Sequence, residues 1–258
     1  MQIDVNCDLG EGFGIYTAGL DWDVMPHITS ANVACGWHAG DPAVMKATVK
    51  MASEFNVRVG AHPGYPDLMG FGRREMNCSP GDLESYILYQ VGALQAFCRS
   101  QNVKLQHVKP HGALYHAVLA APELGRALAR AVQKADPELI LLTLSGPKGN
   151  VMAGICEELG LRAAREAFPD RAYNRDGTLV TRDQPGAVIE DPEEVAKRSL
   201  SMARDGTALT PEGESVSMGA QTLCVHGDSP AAVESVRAIG HILEQNNIRL
   251  VALQNLLN

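Results

Sequence analysis

Short apolar runs recur along the whole chain, and in most of them every second residue is polar. The runs are 3–7, 28–35, 57–61, 105–108, 139–144, 161–167 and 222–226, with a weaker one at 187–189. Residues two apart on a strand share a face. Ile3, Val5 and Cys7 therefore lie opposite Asp4, Asn6 and Asp8, and Val57, Val59 and Ala61 oppose Arg58, Gly60 and His62. His107, Lys109 and His111 share one parity, as do Thr143 with Ser145, and Arg162 with Ala164 and Glu166. In the last run Thr222, Cys224 and His226 oppose Leu223 and Val225. A strand covered by helices on both faces is apolar throughout. These runs instead have one face for helices and one polar face.

Between the runs lie stretches with apolar residues at helical spacing and proline near the start, at 42–55, 80–101 and 122–134. Strand and helix alternate from end to end, which argues for a parallel sheet with crossover helices, closed as a barrel or open as a doubly wound sheet. The 258 residues suit one α/β barrel or two small domains. No internal repeat, low-complexity tract or linker divides them, so a single domain over 1–258 is the simplest count. The stretches 170–185 and 204–217 read as long polar loops, which in a compact domain are often functional.

Charge and cysteine content exclude several classes. A net charge of -8 without a basic block offers no footprint for nucleic acid and no attraction to a membrane surface. The N-terminus has no cationic segment followed by an apolar one, and no apolar run approaches the roughly 18 residues of a membrane helix. Cys7, Cys35, Cys78, Cys98, Cys156 and Cys224 are scattered without a C-x-x-C pair, which reads as reduced thiols in a cytoplasmic protein. The expected partners are small molecules or other proteins.

Each polar face ends, at the C-terminal end of its strand, in a Gly-rich turn bearing Asp8, Asn32, His62, His111, Glu166 or His226. In a parallel barrel those ends form one rim, where such folds build active sites. The opening motif, 6–14, places Asp8 and Glu11 three residues apart among glycines, without the G-x-G-x-x-G of a dinucleotide site. Its carboxylates suit cation binding or general acid–base work. Asp41 before Pro42 reads as a helix N-cap, whereas the neighbouring His38 serves no helix end and is a site candidate. Arg73 and Arg74 suit a substrate carboxylate or phosphate, and Lys109 a phosphate or developing oxyanion. Asp8, His62 and His111 could also form a metal set, although no compact H-E-x-x-H unit supports one. The segment 145–150 has the glycine and lysine of a phosphate loop without its spacing, and reads as a strand-to-helix turn.

Six stretches, N-C-D-L-G-E-G-F-G (6–14), A-N-V-A-C-G-W-H-A-G-D-P (31–42), V-G-A-H-P-G-Y-P-D-L-M-G-F-G-R-R (59–74), K-P-H-G-A-L-Y-H (109–116), E-A-F-P-D-R-A-Y-N-R-D-G-T-L-V-T-R (166–182) and C-V-H-G-D (224–228), resemble in order and spacing the LamB/YcsF family. The resemblance spans nearly the whole chain. Two positions depart from the family pattern: Pro169 stands where Ala is usual and His116 where Asn is usual. The family implies a distorted seven-stranded parallel β/α barrel, TIM-barrel-like and related to the glycoside hydrolase and deacetylase barrels. It also implies the A subunit of a bacterial ATP-dependent 5-oxoprolinase, which works with subunits B and C. The implied reaction turns 5-oxo-L-proline, ATP and two waters into L-glutamate, ADP and phosphate, with ATP as co-substrate alongside magnesium.

Lactam chemistry then suggests roles for the pocket. Asp8 or Glu11 orients or deprotonates water, His62 and His111 move protons, and Lys109 stabilises phosphate or oxyanion charge. Arg73 or Arg74 holds the substrate carboxylate, and Asn6, Asn32, His38, Glu166 and His226 complete the binding surface. Two other classes fit the same residues: a non-catalytic substrate-binding subunit, and a stand-alone metal-dependent deacetylase or amidohydrolase. The choice between monomer and homo-oligomer is left open.

Overall fold

The computed structural model describes residues 1–227 and 231–257; Asp228, which ends the sixth motif, lies outside them. The strands are β1 (Gln2–Leu9), β2 (Ser30–Ala34), β3 (Arg58–His62), β4 (Leu105–Val108), β5 (Ile140–Leu144), β6 (Arg162–Ala167), β7 (Thr207–Leu209), β8 (Ser215–Ser217), β9 (Thr222–Val225) and β10 (Arg249–Leu250). The helices are α1 (Asp21–Val24), α2 (Pro42–Glu54), α3 (Pro80–Ser100), α4 (Gly112–Ala120), α5 (Pro122–Ala135), α6 (Asn150–Glu158), α7 (Pro192–Leu200), α8 (Ala232–Gln245) and α9 (Leu253–Leu256).

Strands β1, β2, β3, β4, β5, β6 and β9 pair in that order, all parallel, and β9 pairs back onto β1. Asn6 meets Ser30 on one side and Cys224 on the other. This double pairing closes a seven-stranded barrel and rules out the open sheet.

The alternation explains how the barrel is filled. Ile3, Val5, Cys7 and Leu9 turn outward into a continuous apolar layer with Val59, Ala61 and the inner faces of the surrounding helices. Fully burying the larger of these, a Val, Leu or Ile side chain, is worth roughly 1.5–3 kcal/mol each. The helices begin where the sequence places a cap before proline: Asp41 accepts from the amides of Ala43 and Val44, Ser79 from Asp82, and Asp191 from Glu193. Each cap satisfies amide groups that a helix start leaves unpaired.

Strand β5 departs from the expected parity. Leu142 is in register with Ala164 and Leu144 with Glu166, so Thr143 shares the outward face of Arg165. The inward residues Ile140 and Leu142 are apolar because they pack, with Ala164, against Leu253 of α9. That short helix stops the N-terminal end of the barrel, and β10 joins it there by pairing with Gln2 and Ile3. The weak run at 187–189 is not a strand and contributes one bridge, Arg171 to Val188. The stretch 204–217 holds the antiparallel hairpin β7–β8, and 147–149 is a 3-10 turn leading into α6. All six cysteines are unpaired, and five are buried.

Candidate active site

The inner face of the barrel is a stacked polar network. At its base Asp4 accepts hydrogen bonds from the hydroxyls of Thr29, Ser30 and Thr222. One layer up, Asn6 donates to Thr222 Oγ1 at 2.6 Å and to Glu166 Oε1 at 3.1 Å. Asn32 donates to Asn6 Oδ1 at 2.6 Å and to Asp8 Oδ1 at 2.8 Å. His107 Nε2 donates to Asn32 Oδ1 at 2.6 Å, while its Nδ1 accepts from Gln106. Asp4, Asn6, Asn32 and His107 are thus joined layer to layer by hydrogen bonds, as buried polar groups generally are.

Lys109 caps this stack. The chain beyond β4 is held beside the end of β3 by Lys109 N–H donating to Ala61 O and His111 N–H donating to Pro63 O, each at 2.9 Å. Its ammonium reaches Asp8 Oδ1 at 2.5 Å, Cys224 Sγ at 3.0 Å and Glu166 Oε1 at 3.6 Å. Burial alone would lower the Lys109 pKa, but Asp8, Cys224 and Glu166 outweigh it and hold the amine well above its ordinary value. Burial alone would raise Asp8; His62 and Lys109 outweigh that and keep its carboxyl well below the usual range. Glu166 is raised, by burial first and by the charge of Asp8, with Lys109 opposing. The floor therefore holds a lysine ammonium, an ionised aspartate and a glutamate with heightened proton affinity.

Three imidazoles flank the floor. His62 Nδ1 donates to Lys109 O at 2.8 Å, and His111 Nε2 donates to Phe71 O at 2.8 Å. The remaining nitrogens, His62 Nε2 and His111 Nδ1, face each other at 2.9 Å. His62 Nε2 is also 3.3 Å from Asp8 Oδ2. His38 lies parallel to His111 with ring centroids 3.7 Å apart, and its Nε2 is 3.6 Å from Glu11 Oε1. Burial, and then His62, push His38 well below its ordinary pKa; burial, then His38 and His62, do the same to His111.

A cavity of about 600 Å³ opens above this floor. Asp8, His62, Lys109 and His111 form its base, and Arg73, Arg171 and Arg182 form a cationic wall. Phe168 stacks on His226, and its ring centroid lies 5.5 Å from the Lys109 ammonium. His226 lines the rim, its Nδ1 donating to Asp170 Oδ2 at 2.7 Å. Asn6, Asn32 and Glu166 are buried beneath the floor, and Glu11 and His38 behind its histidines. Arg74 is turned away from the cavity: the buried Asp67 takes its guanidinium together with the amides of Gly70 and Arg74. Asp41 caps α2 and also accepts from Gly14 N.

Phe168, Asp170, Arg171 and Tyr115 were not singled out by strand parity, since they sit on loops and on α4. Arg171 and Asp170 lie inside the 166–182 motif, the one signal that marked them. Arg171 is buried, donates to Ala187 O and Val180 O, and is brought down to about 10 by burial and by Arg182, remaining protonated at neutral pH. The Tyr115 hydroxyl neighbours Glu166, and burial followed by that carboxyl raises it well above its ordinary value.

The LamB/YcsF family profile matches residues 3–258. The A subunit of 5-oxoprolinase from Pyrococcus abyssi is 56% identical over 255 residues, covering 99% of each chain. Its counterpart in Pyrococcus horikoshii is 55% identical over 98% of each chain. The crystal structure of a lactam utilization protein from Thermus thermophilus superimposes with a TM-score of 0.91 at 45% identity, covering 98% of this chain and 100% of that one.

Proposed function

The chain belongs to the LamB/YcsF family, and on that premise we propose that it is the lactam-opening subunit of an ATP-dependent 5-oxoprolinase. The observation that carries this reading is the buried Lys109–Asp8 pair at the floor of a cavity with a cationic wall. A five-membered lactam is a stabilised amide with a poor leaving group. Transfer of the ATP γ-phosphoryl group to its oxygen activates the ring carbon. One water adds there, the ring C–N bond breaks, and a second water releases phosphate, leaving L-glutamate and ADP.

The residues divide this work by position. Lys109 faces the oxygen that gathers charge or carries phosphate. Asp8, ionised at neutral pH, orients the attacking water beside His62. Glu166, with raised proton affinity, lies next to Tyr115 of the cavity wall, and this pair is the proton reservoir we assign to the breaking C–N bond. Arg171, fixed by two carbonyls, and Arg73 offer guanidinium groups to the substrate carboxylate. The cavity exceeds a lactam ring in size and leaves space for a phosphoryl group. Subunits B and C complete the enzyme, with ATP and magnesium as co-substrate. Six unpaired thiols suit a reducing compartment, so the cytoplasm is the proposed location.

Turnover of isotope-labelled 5-oxoproline by this chain and subunits B and C, singly and combined, tests the reading. Glutamate is expected only from the combination and only with ATP. Glutamate formed by this chain alone without ATP rejects it.

A further inference from the structure

We propose that Glu11, His38, His62 and His111 form a binding site for one divalent transition-metal ion. Two features of the imidazoles lead there. His62 and His111 each spend one N–H on a backbone carbonyl, Lys109 O and Phe71 O. A carbonyl only accepts, so both outer nitrogens carry hydrogen; with both rings neutral the inner ones, His62 Nε2 and His111 Nδ1, present lone pairs to each other at 2.9 Å, with Asp8 Oδ2 3.3 Å from His62 Nε2. Two lone pairs at that separation repel unless a proton or a metal ion lies between or beside them.

The second feature is His38. It is fully buried, and among the described residues neither of its ring nitrogens has a hydrogen-bond partner. A shared proton between His62 and His111 would leave it so, whereas a metal ion engages it together with them. One donor atom from each of Glu11, His38, His62 and His111 lies within 4.8 Å of all the others. Zinc bonds of about 2.0–2.1 Å to nitrogen set tetrahedral donors roughly 3.3 Å apart, so the wider-spaced donors draw in while the His62–His111 pair opens slightly. The carbonyl anchors of His62 and His111 are the outer hydrogen bonds that typically orient metal-binding imidazoles and fix their tautomers. Three imidazoles and one carboxylate favour zinc and its neighbours over calcium or magnesium.

The His38 ring lies parallel to His111, and a lone pair lies in its own ring plane, so coordination tilts His38 out of the stack. Gly64 borders this ring, and Gly72 lies against the His38 Cβ and the His111 ring, so neither adds a side chain to oppose the tilt. His62 and His111 face the cavity, which places the ion at its inner wall.

The test needs neither substrate nor partner subunits, so it stands or falls separately from the lactam reading. The full chain, stripped with a chelator, is titrated with Zn²⁺ and with Co²⁺. The expected results are one equivalent of Zn²⁺ per chain, a raised Tm, and visible Co²⁺ absorption of a nitrogen–oxygen site. His38→Ala and His62→Gln should each weaken Zn²⁺ binding at least about tenfold, while the exposed-site control His241→Ala keeps one equivalent. Histidine ¹⁵N shifts of the unmutated chain, which require no folded variant, should move at His62 Nε2 and His111 Nδ1 on adding Zn²⁺. Substoichiometric binding without a Tm shift overturns the proposal. So does a strongly deshielded proton between His62 and His111 that persists in excess Zn²⁺.

Discussion

Lys109 Nζ stands 2.5 Å from Asp8 Oδ1 at the floor of the barrel cavity, and both side chains are almost wholly withdrawn from water. Three acceptors surround the ammonium, so the charges are compensated only as a set.

Removing one member should cost more than removing two. Lys109→Met leaves Asp8 ionised and buried without its cation, a loss of about 3–5 kcal/mol for such a pair. The double variant Asp8→Asn/Lys109→Met should recover much of that stability in urea unfolding. Turnover by the assembled enzyme should fall at least about 10²-fold in both variants. A Lys109→Met chain as stable as the parent would defeat this account of the floor.

Much of this floor was legible in the sequence because strand parity is local. Asp4, Asn6 and Asp8 share an inner face by spacing alone, and so do His107 and Lys109. Thr143 misled because parity says which residues share a face, not which face looks inward; α9, far along the chain, made the apolar face of β5 the inner one. Arg74 misled for a different reason. Paired arginines look alike in sequence, and only the fold shows Asp67 capturing one of them. Arg171 and Phe168 lie on a loop whose course is set by carbonyl contacts with no period to read.

The two arginines should therefore separate in kinetics. Arg74→Ala removes a partner of Asp67 at the loop surface and should leave KM for 5-oxoproline within about twofold, since the guanidinium does not line the cavity, is bound to Asp67 and is largely solvated. Arg171→Ala should raise KM about 10-fold or more by removing a charged hydrogen-bond donor from the cavity wall. Equal effects of the two substitutions on KM would remove Arg171 from the carboxylate site.

Two buried groups inside the barrel should give opposing pH dependences. Burial, followed by Lys109 and His62, lowers His107 to about 3. Its stabilisation is fully present above the unfolded value of about 6.5 and is lost as pH falls towards 3. Burial raises Asp4 to about 6 against three hydroxyl hydrogen bonds. Its stabilisation is present below the unfolded value near 4 and is lost as pH rises through 6. The parent chain should thus change little between pH 4 and 6 on account of this pair. His107→Gln should lose stability as pH rises through that window, and Asp4→Asn should gain it. Urea midpoints that run parallel for all three proteins would rule out both assignments.

Gly60 should prove intolerant of a single methyl group for a reason unrelated to backbone freedom. A Cβ there would lie 1.9 Å from His107 Nε2 and 2.2 Å from Cδ2, in the middle of the barrel. His107 must then move, breaking its bond to Asn32 and loosening the amide that Asn32 donates to Asp8. Gly60→Ala is expected to cost about 1–3 kcal/mol as overpacking and to lower kcat by disturbing Asp8. Gly92, inside α3 with no atom near its missing Cβ, is the control, and Gly92→Ala should stabilise by about 0.5–1 kcal/mol. Adding His107→Ala to Gly60→Ala makes room for the methyl group and should return part of the lost stability without restoring kcat. If the double variant is less stable than either single one, the clash with His107 is not the cause.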